Sequence, residues 1–140
     1  MIRNLLKRHE GFRGHPYKCP AGKLTIGWGR NLDDVGISPE EGEILLDNDI
    51  RRATIACELF VPGWDTLDAV RRNVLIDMCF NLGRAGLAKF GRLLSAVKVR
   101  DWQWAADEMM NSRWAQQVPV RAAELAEMMR TGKLPQKEML

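Results

Sequence analysis

Every alternating, turn-punctuated segment of this chain falls between residues 15 and 36, and nearly everything on either side of it reads as helix. Gly14, Pro16, Pro20 and Gly22 break the backbone into short pieces, and Leu24-Thr25-Ile26-Gly27-Trp28 alternates as a strand does, so the window predicts small antiparallel hairpins. Before it, Ile2, Leu5, Leu6 and His9 recur at helical spacing and stop at Glu10-Gly11, a helix end that projects the Glu10 side chain from the last turn. After it, Ser38-Pro39-Glu40-Glu41 is a helix start. Ser38 suits the cap, Pro39 the first helical position, and Glu41 completes a capping box. The helix that follows runs through Ile44, Leu45, Ile50, Ala53 and Cys57 to about Leu59, where Val61-Pro62-Gly63 breaks it. A helix of that length spans a domain and can link two lobes.

From Asp65 onward no strand signal remains. Asp68 to Leu82 reads as a buried helix closed by Gly83, followed by shorter helices at Leu87 to Lys89, Leu93 to Val99, Trp102 to Met110, and Pro119 to Met129 with Gly132 behind it. The tail from residue 133 to 140 is expected to be loose. The fold class is therefore α+β and predominantly α: a small N-terminal hairpin lobe, a larger all-helical C-terminal lobe, and a cleft between them as the expected binding place. Trp64, Trp102, Trp104 and Trp114 are expected in the core, with Trp28 on the hairpin side.

Composition removes several classes. Hydrophobic residues make up 46% and charged residues 28% of the chain, an ordinary globular balance that argues against disorder. No run is long enough to cross a membrane, and residues 1 to 8 lack the apolar core and small-residue site of a secretory signal, so accumulation in the cytoplasm is expected. The +3 net charge is interspersed along the chain and amounts to weak attraction toward polyanions. Three cysteines with no CxxC pair argue against a disulfide framework or zinc knuckle. Cys57 and Cys79 lie in apolar helical contexts and read as buried hydrophobes, whereas Cys19 does not.

The stretch from His9 to Arg30 gathers a carboxylate, a thiol and a hydroxyl between close turns. On spacing alone Glu10 is either a helix-end residue or an acid facing a cleft. Glu10-Gly11 followed by Tyr17, Gly22, Thr25, Ile26, Gly27 and Gly29 resembles the active-site signature of the phage-type lysozymes, the muramidases with which phages open bacterial walls. The resemblance resumes at Asp68 to Arg72, Phe80 to Gly83, Ser112 to Trp114 and Arg130 to Gly132, so it spans about residues 2 to 132. It implies one lysozyme-like catalytic domain over 1–132, with residues 12–60 forming the hairpin lobe plus the long linking helix, and residues 1–11 and 61–132 the helical lobe.

The implied chemistry is hydrolysis of the bond between N-acetylmuramic acid and N-acetylglucosamine in peptidoglycan. That reaction needs a proton for the leaving oxygen and a second group opposite it. Glu10, partly desolvated at the base of a cleft, suits the general acid. Arg121 aligns with an arginine that lies beside the acid in the family, and Phe80 and Asn81 align with cleft-lining residues whose ring and amide suit an amino sugar. Two positions depart from the family. Cys19 stands where it usually carries Asp, and Arg30 where it commonly shows His. A thiol is mostly un-ionised at neutral pH, so Cys19 is a nucleophile, a base aided by His15 or Lys18, or a tolerated turn residue. Thr25 is either an orienter of the attacking water or a strand residue. With a single acid, a lytic transglycosylase on the same fold is the main alternative. From another class, a nucleic-acid-binding helical module would explain the Arg and Trp residues at Arg100 to Trp104, but no signature supports it. A metal site from His9, Glu10, His15 and Cys19 matches no usual ligand spacing. No cofactor, no nucleic acid and no stable membrane insertion are implied, and a monomer is expected, held in the host cytoplasm until released to the wall.

Overall fold

The computed structural model describes residues 1–136, so the last four residues of the expected loose tail lie outside the described residues. The chain divides into two compact units, Met1–Leu46 and Asp47–Leu140.

The first unit opens with α1 (Ile2–Glu10), stopped by Gly11, whose N–H closes back on the Lys7 carbonyl at 2.9 Å. Three antiparallel strands follow in sequence order, β1 (Arg13–Lys18), β2 (Leu24–Gly27) and β3 (Arg30–Asn31). Thr25 pairs with Tyr17 on one side and Asn31 on the other, which fixes the register of the central strand. The turn between β1 and β2 is closed by the Gly22 N–H on the Cys19 carbonyl and the Cys19 N–H on the Lys23 carbonyl, with Pro20 presetting its backbone. Beyond β3, Asp33 accepts the Leu24 N–H at 2.7 Å, and Asp34 takes both the Asn31 amide and the Lys23 ammonium.

The long helix α2 (Pro39–Phe60) starts as its sequence dictates. Ser38 Oγ accepts the Glu41 N–H and the Glu41 carboxylate accepts the Ser38 N–H, the reciprocal bonds of a capping box. The same carboxylate is gripped by Arg30 at 2.9 and 2.5 Å, and Arg30 also donates to the Gly36 carbonyl. Arg30, which departs from the family pattern, thus ties β3 to the start of α2.

In the second unit a short 3-10 turn (Trp64–Thr66) leads to α3 (Ala69–Ala88), capped by Asp68 through the Arg71 N–H. Gly83 breaks the helical path at φ 78, ψ 165, a conformation open to glycine, so the expected closure at this residue appears as a break with one more short helical stretch beyond it. Next come α4 (Gly91–Lys98), α5 (Trp102–Met110), α6 (Arg113–Gln117) and α7 (Pro119–Thr131). The core is built from Leu75, Met78, Leu87, Leu93, Met109 and Met129, all fully buried. Cys57 and Cys79 are buried beside them with free thiols, and burial pushes the Cys57 thiol up to about 12. Arg71 locks α3 to α7: its guanidinium donates to the Met129 and Arg130 carbonyls, lies 4.1 Å from the Trp102 ring centroid and pairs with Asp68. These are the acceptors that a helix C-terminus leaves unsatisfied.

Two expectations need correction. Trp64 and Trp114 are buried, but Trp104 is exposed on α5 with its indole N–H on Glu108, because an indole N–H with a carboxylate one turn away has no need of the core. The five-residue α6 was not anticipated, being too short for a periodic pattern. Its start is set by Ser112, whose hydroxyl accepts the Ala115 N–H. No helix among the described residues is long and apolar enough to cross a membrane.

Candidate functional site

In the first unit Glu10 closes α1, and its carboxylate rests on Gly29 in the turn between β2 and β3. A Cβ at Gly29 would fall 2.7 Å from Glu10 Oε2 and 2.8 Å from its Cδ, and φ is +78 there, so the seat exists only because residue 29 is glycine. Glu10 has no hydrogen-bond or ion-pair partner among the described residues. Its side chain is exposed.

Cys19 and Thr25 meet at the opposite end of β2. Cys19 is half-buried in the β1–β2 turn with backbone amides directed at its sulfur. These hold its thiol below the ordinary range, the Lys23 N–H most strongly and the Ala21 N–H in the same direction, while burial opposes them. The groups expected to favour the thiolate, His15 and Lys18, are not among these influences; fixed backbone dipoles are. Thr25 is buried, 4% exposed, and donates to the Lys23 carbonyl at 2.9 Å, so its hydroxyl hydrogen is engaged inside the hairpin. Beside this sheet a groove of about 780 Å³ is lined by Ile26, Trp28, Val35, Ile37 and Ile44. Trp28 is 47% exposed, stacks on Phe12 at 5.2 Å and carries the Lys7 ammonium 4.9 Å from its ring.

The second unit holds the other three candidates. Phe80 is 44% exposed and, with Cys79, Gly83, Arg52, Arg84 and Leu59, lines a mostly apolar groove of about 620 Å³ between α2 and α3. Asn81, on the next position of α3, accepts the Trp114 indole N–H through Oδ1 at 2.7 Å, which fixes its amide and leaves the NH₂ free to donate. Arg121, in the first turn of α7, pairs with Asp77 at 2.7 Å. The structure therefore brings together Cys19 with Thr25, seats Glu10 on Gly29, and anchors Asn81 and Arg121 through Trp114 and Asp77. Gly29, Asp77, Trp114 and the Lys23 and Ala21 amides were not singled out for these roles from the sequence. Among the described residues no group of three or more His, Cys, Asp or Glu side chains is arranged to hold a metal ion.

Comparison with known proteins adds four findings. The family model described as phage lysozyme matches residues 7–128. Probable T4-type lysozyme 1 of Dictyostelium discoideum is 28% identical over an alignment of 162 positions that covers 95% of each chain. An endolysin of Acyrthosiphon pisum secondary endosymbiont phage 1 is 32% identical over 117 positions, covering 79% of this chain and 75% of its own. The pre-baseplate central spike protein Gp5 of Enterobacteria phage T4 is 27% identical over 93% of this chain, which corresponds to 28% of that longer protein.

Proposed function

Because the chain belongs to the phage lysozyme family and is a lysozyme, a glycoside hydrolase of peptidoglycan, we propose that it cuts the bond between N-acetylmuramic acid and N-acetylglucosamine with Glu10 as general acid, and that the cut lyses the host cell. The observation that carries this reading is the Glu10 carboxylate, seated on Gly29 and engaged by no other side chain among the described residues. A free carboxyl group at an open surface can present its proton to a glycosidic oxygen.

Cys19 takes the second role. Its donor cradle favours the thiolate, which accepts a proton from water as the water oxygen attacks the anomeric carbon. Glu10 meanwhile protonates the departing oxygen and the C–O bond breaks. The Cys19 thiol then returns its proton to solvent and Glu10 regains one, so the net reaction consumes one water. Glu10 rests on Gly29, beyond one end of β2, and Cys19 lies in the turn at the other end. Thr25, buried against the same turn, supports Cys19. Phe80, Asn81 and Arg121 contribute to sugar binding, with the free Asn81 NH₂ a donor for an acetamido oxygen. The enzyme acts as a monomer, without cofactor, from the host cytoplasm once the membrane is breached.

One observation favours a second reading, transglycosylation by Glu10 alone. No carboxylate occurs between Glu10 and Asp33, and Asp33 and Asp34 are engaged in holding the hairpin. In that case the muramic 6-hydroxyl, not water, attacks. Both readings depend on Glu10. Glu10→Gln keeps the shape and loses the proton, so wall clearing should fall on the order of 10²–10⁴-fold with the fold intact. Clearing at the wild-type rate by purified Glu10→Gln would remove the assignment.

A further inference from the structure

Arg121 is assigned above to sugar binding, and what it can bind is set by its neighbour. Its Nε donates to Asp77 Oδ1 at 2.7 Å, Nη2 lies the same distance from that oxygen, and Nη2 also reaches the Asp77 backbone carbonyl at 3.4 Å. Both residues belong to the second unit, Asp77 to α3 and Arg121 to the first turn of α7. The bonds hold the guanidinium plane along its Nε edge, and Nη1 takes part in none of them. An arginine keeps its charge at any working pH and carries more donors than these bonds use. Gripping it through a carboxylate therefore does two things: the remaining donors have a fixed direction, and the pair as a whole carries no net charge.

Asp77 also lies on the face of α3 that carries the other two candidates. At about 100° per residue, Phe80 and Asn81 fall within about 60° of it, one on each side. Asn81 is itself an uncharged donor, its Oδ1 held by the Trp114 indole. This face thus combines an aromatic ring with two sets of N–H donors, and neither set brings a net charge.

We infer that Asp77 is a specificity-determining positioning residue: it cancels the Arg121 charge while fixing its direction, so that this position takes a neutral sugar oxygen, a hydroxyl or an acetamido carbonyl, in preference to a carboxylate. A carboxylate brought to Nη1 would have to share one cation with Asp77 and would meet a like charge across the guanidinium. A hydroxyl or amide oxygen meets no such opposition, so the discrimination lies in a repulsive group that is already in place. The inference rests on the reading of Arg121 as a sugar-binding residue, and the experiment separates the two.

The test compares two soluble inhibitors of wall clearing. Tri-N-acetylchitotriose is neutral, and the disaccharide of N-acetylglucosamine and N-acetylmuramic acid carries a free lactyl carboxylate. Asp77→Asn keeps an oxygen for Arg121 Nε and removes the charge. Because the pair is 37% and 41% exposed, the gain is that of a solvent-screened ion pair: the inhibition constant of the acidic disaccharide should fall roughly threefold to fivefold relative to that of the neutral sugar. The gain should vanish at about 1 M salt, where screening acts within about 3 Å. Asp77→Ala, which removes the oxygen as well, should bind the neutral sugar more weakly than Asp77→Asn does, and Arg121→Met should weaken both inhibitors. Circular dichroism gives the folded fraction to which each rate is referred. An unchanged ratio of the two constants in Asp77→Asn, with both inhibitors weakened in Arg121→Met, overturns the inference and leaves Arg121 in the sugar site. Wild-type inhibition of Arg121→Met by both compounds removes Arg121 from sugar binding, and the inference falls with it.

Discussion

Gly29→Ala isolates the seat of the acid from the general strain of a positive φ. The added Cβ would lie 2.7 Å from Glu10 Oε2, and ordinary contact begins near 3.4 Å, so the carboxylate must retreat by about 0.7 Å (3.4 − 2.7). The retreat itself is easy, because the clashing atoms are the far end of a flexible side chain. The stability cost comes instead from φ +78, about 1–2 kcal/mol for a residue with a Cβ. Activity suffers separately, since a misplacement approaching 1 Å costs on the order of 10²-fold when a catalytic group must meet a reacting atom. Gly36→Ala is the matched control. Its φ is +63, yet the nearest atom to a new Cβ is the Leu32 carbonyl oxygen at 4.0 Å, so it carries the strain without moving Glu10. Both variants should lose similar thermal stability, read by circular dichroism, while only Gly29→Ala should lose wall-clearing rate, by tens of fold. Equal clearing by the two variants would refute the reasoning that Gly29 positions the acid.

The remaining predictions concern three other groups. Cys19→Asp supplies a ready carboxylate and should clear walls as fast as wild type or faster, whereas Cys19→Ala should be much slower in the same turbidity assay; an Ala variant as active as wild type makes the thiol a spectator. The Arg30 guanidinium, followed by the Ser38 N–H, holds the Glu41 carboxyl down to about 2 from an ordinary 4.5. A depressed folded-state value means the stabilisation is present above about pH 4.5 and is lost as pH falls toward 2, so Tm should drop across that window and Glu41→Gln should flatten the drop. Arg71→Ala removes charged donors from the last carbonyls of α7 and should cost roughly 2–4 kcal/mol in urea unfolding, with little change in activity per folded molecule.

The parts of this fold that were legible in the sequence are those written in local chemistry. Ser38 and Glu41 form the capping box that their spacing implies, Asp68 caps α3, Pro119 opens α7, and Gly83 interrupts α3 where a helix end was expected. What sequence reasoning missed depends on partners distant in the chain or on backbone groups that every residue possesses. The donors around Cys19 are main-chain N–H groups oriented by a turn, so no residue type announces them, and the visible cations His15 and Lys18 drew attention instead. Arg30 looked like a lost histidine, and its function as the clamp on Glu41 emerges only when residues eleven apart meet. Trp104 shows the opposite failure: its size suggested the core, while a carboxylate one turn away lets it remain exposed.

The most direct measurement is mass spectrometry of the fragments released from purified peptidoglycan. Hydrolysis by Glu10 with Cys19-activated water adds the mass of one water and leaves a reducing muramic end, and that is the predicted product throughout the digest. Fragments ending only in anhydromuramic acid would contradict the account, because the substrate's own hydroxyl would then have done what is here assigned to water and Cys19.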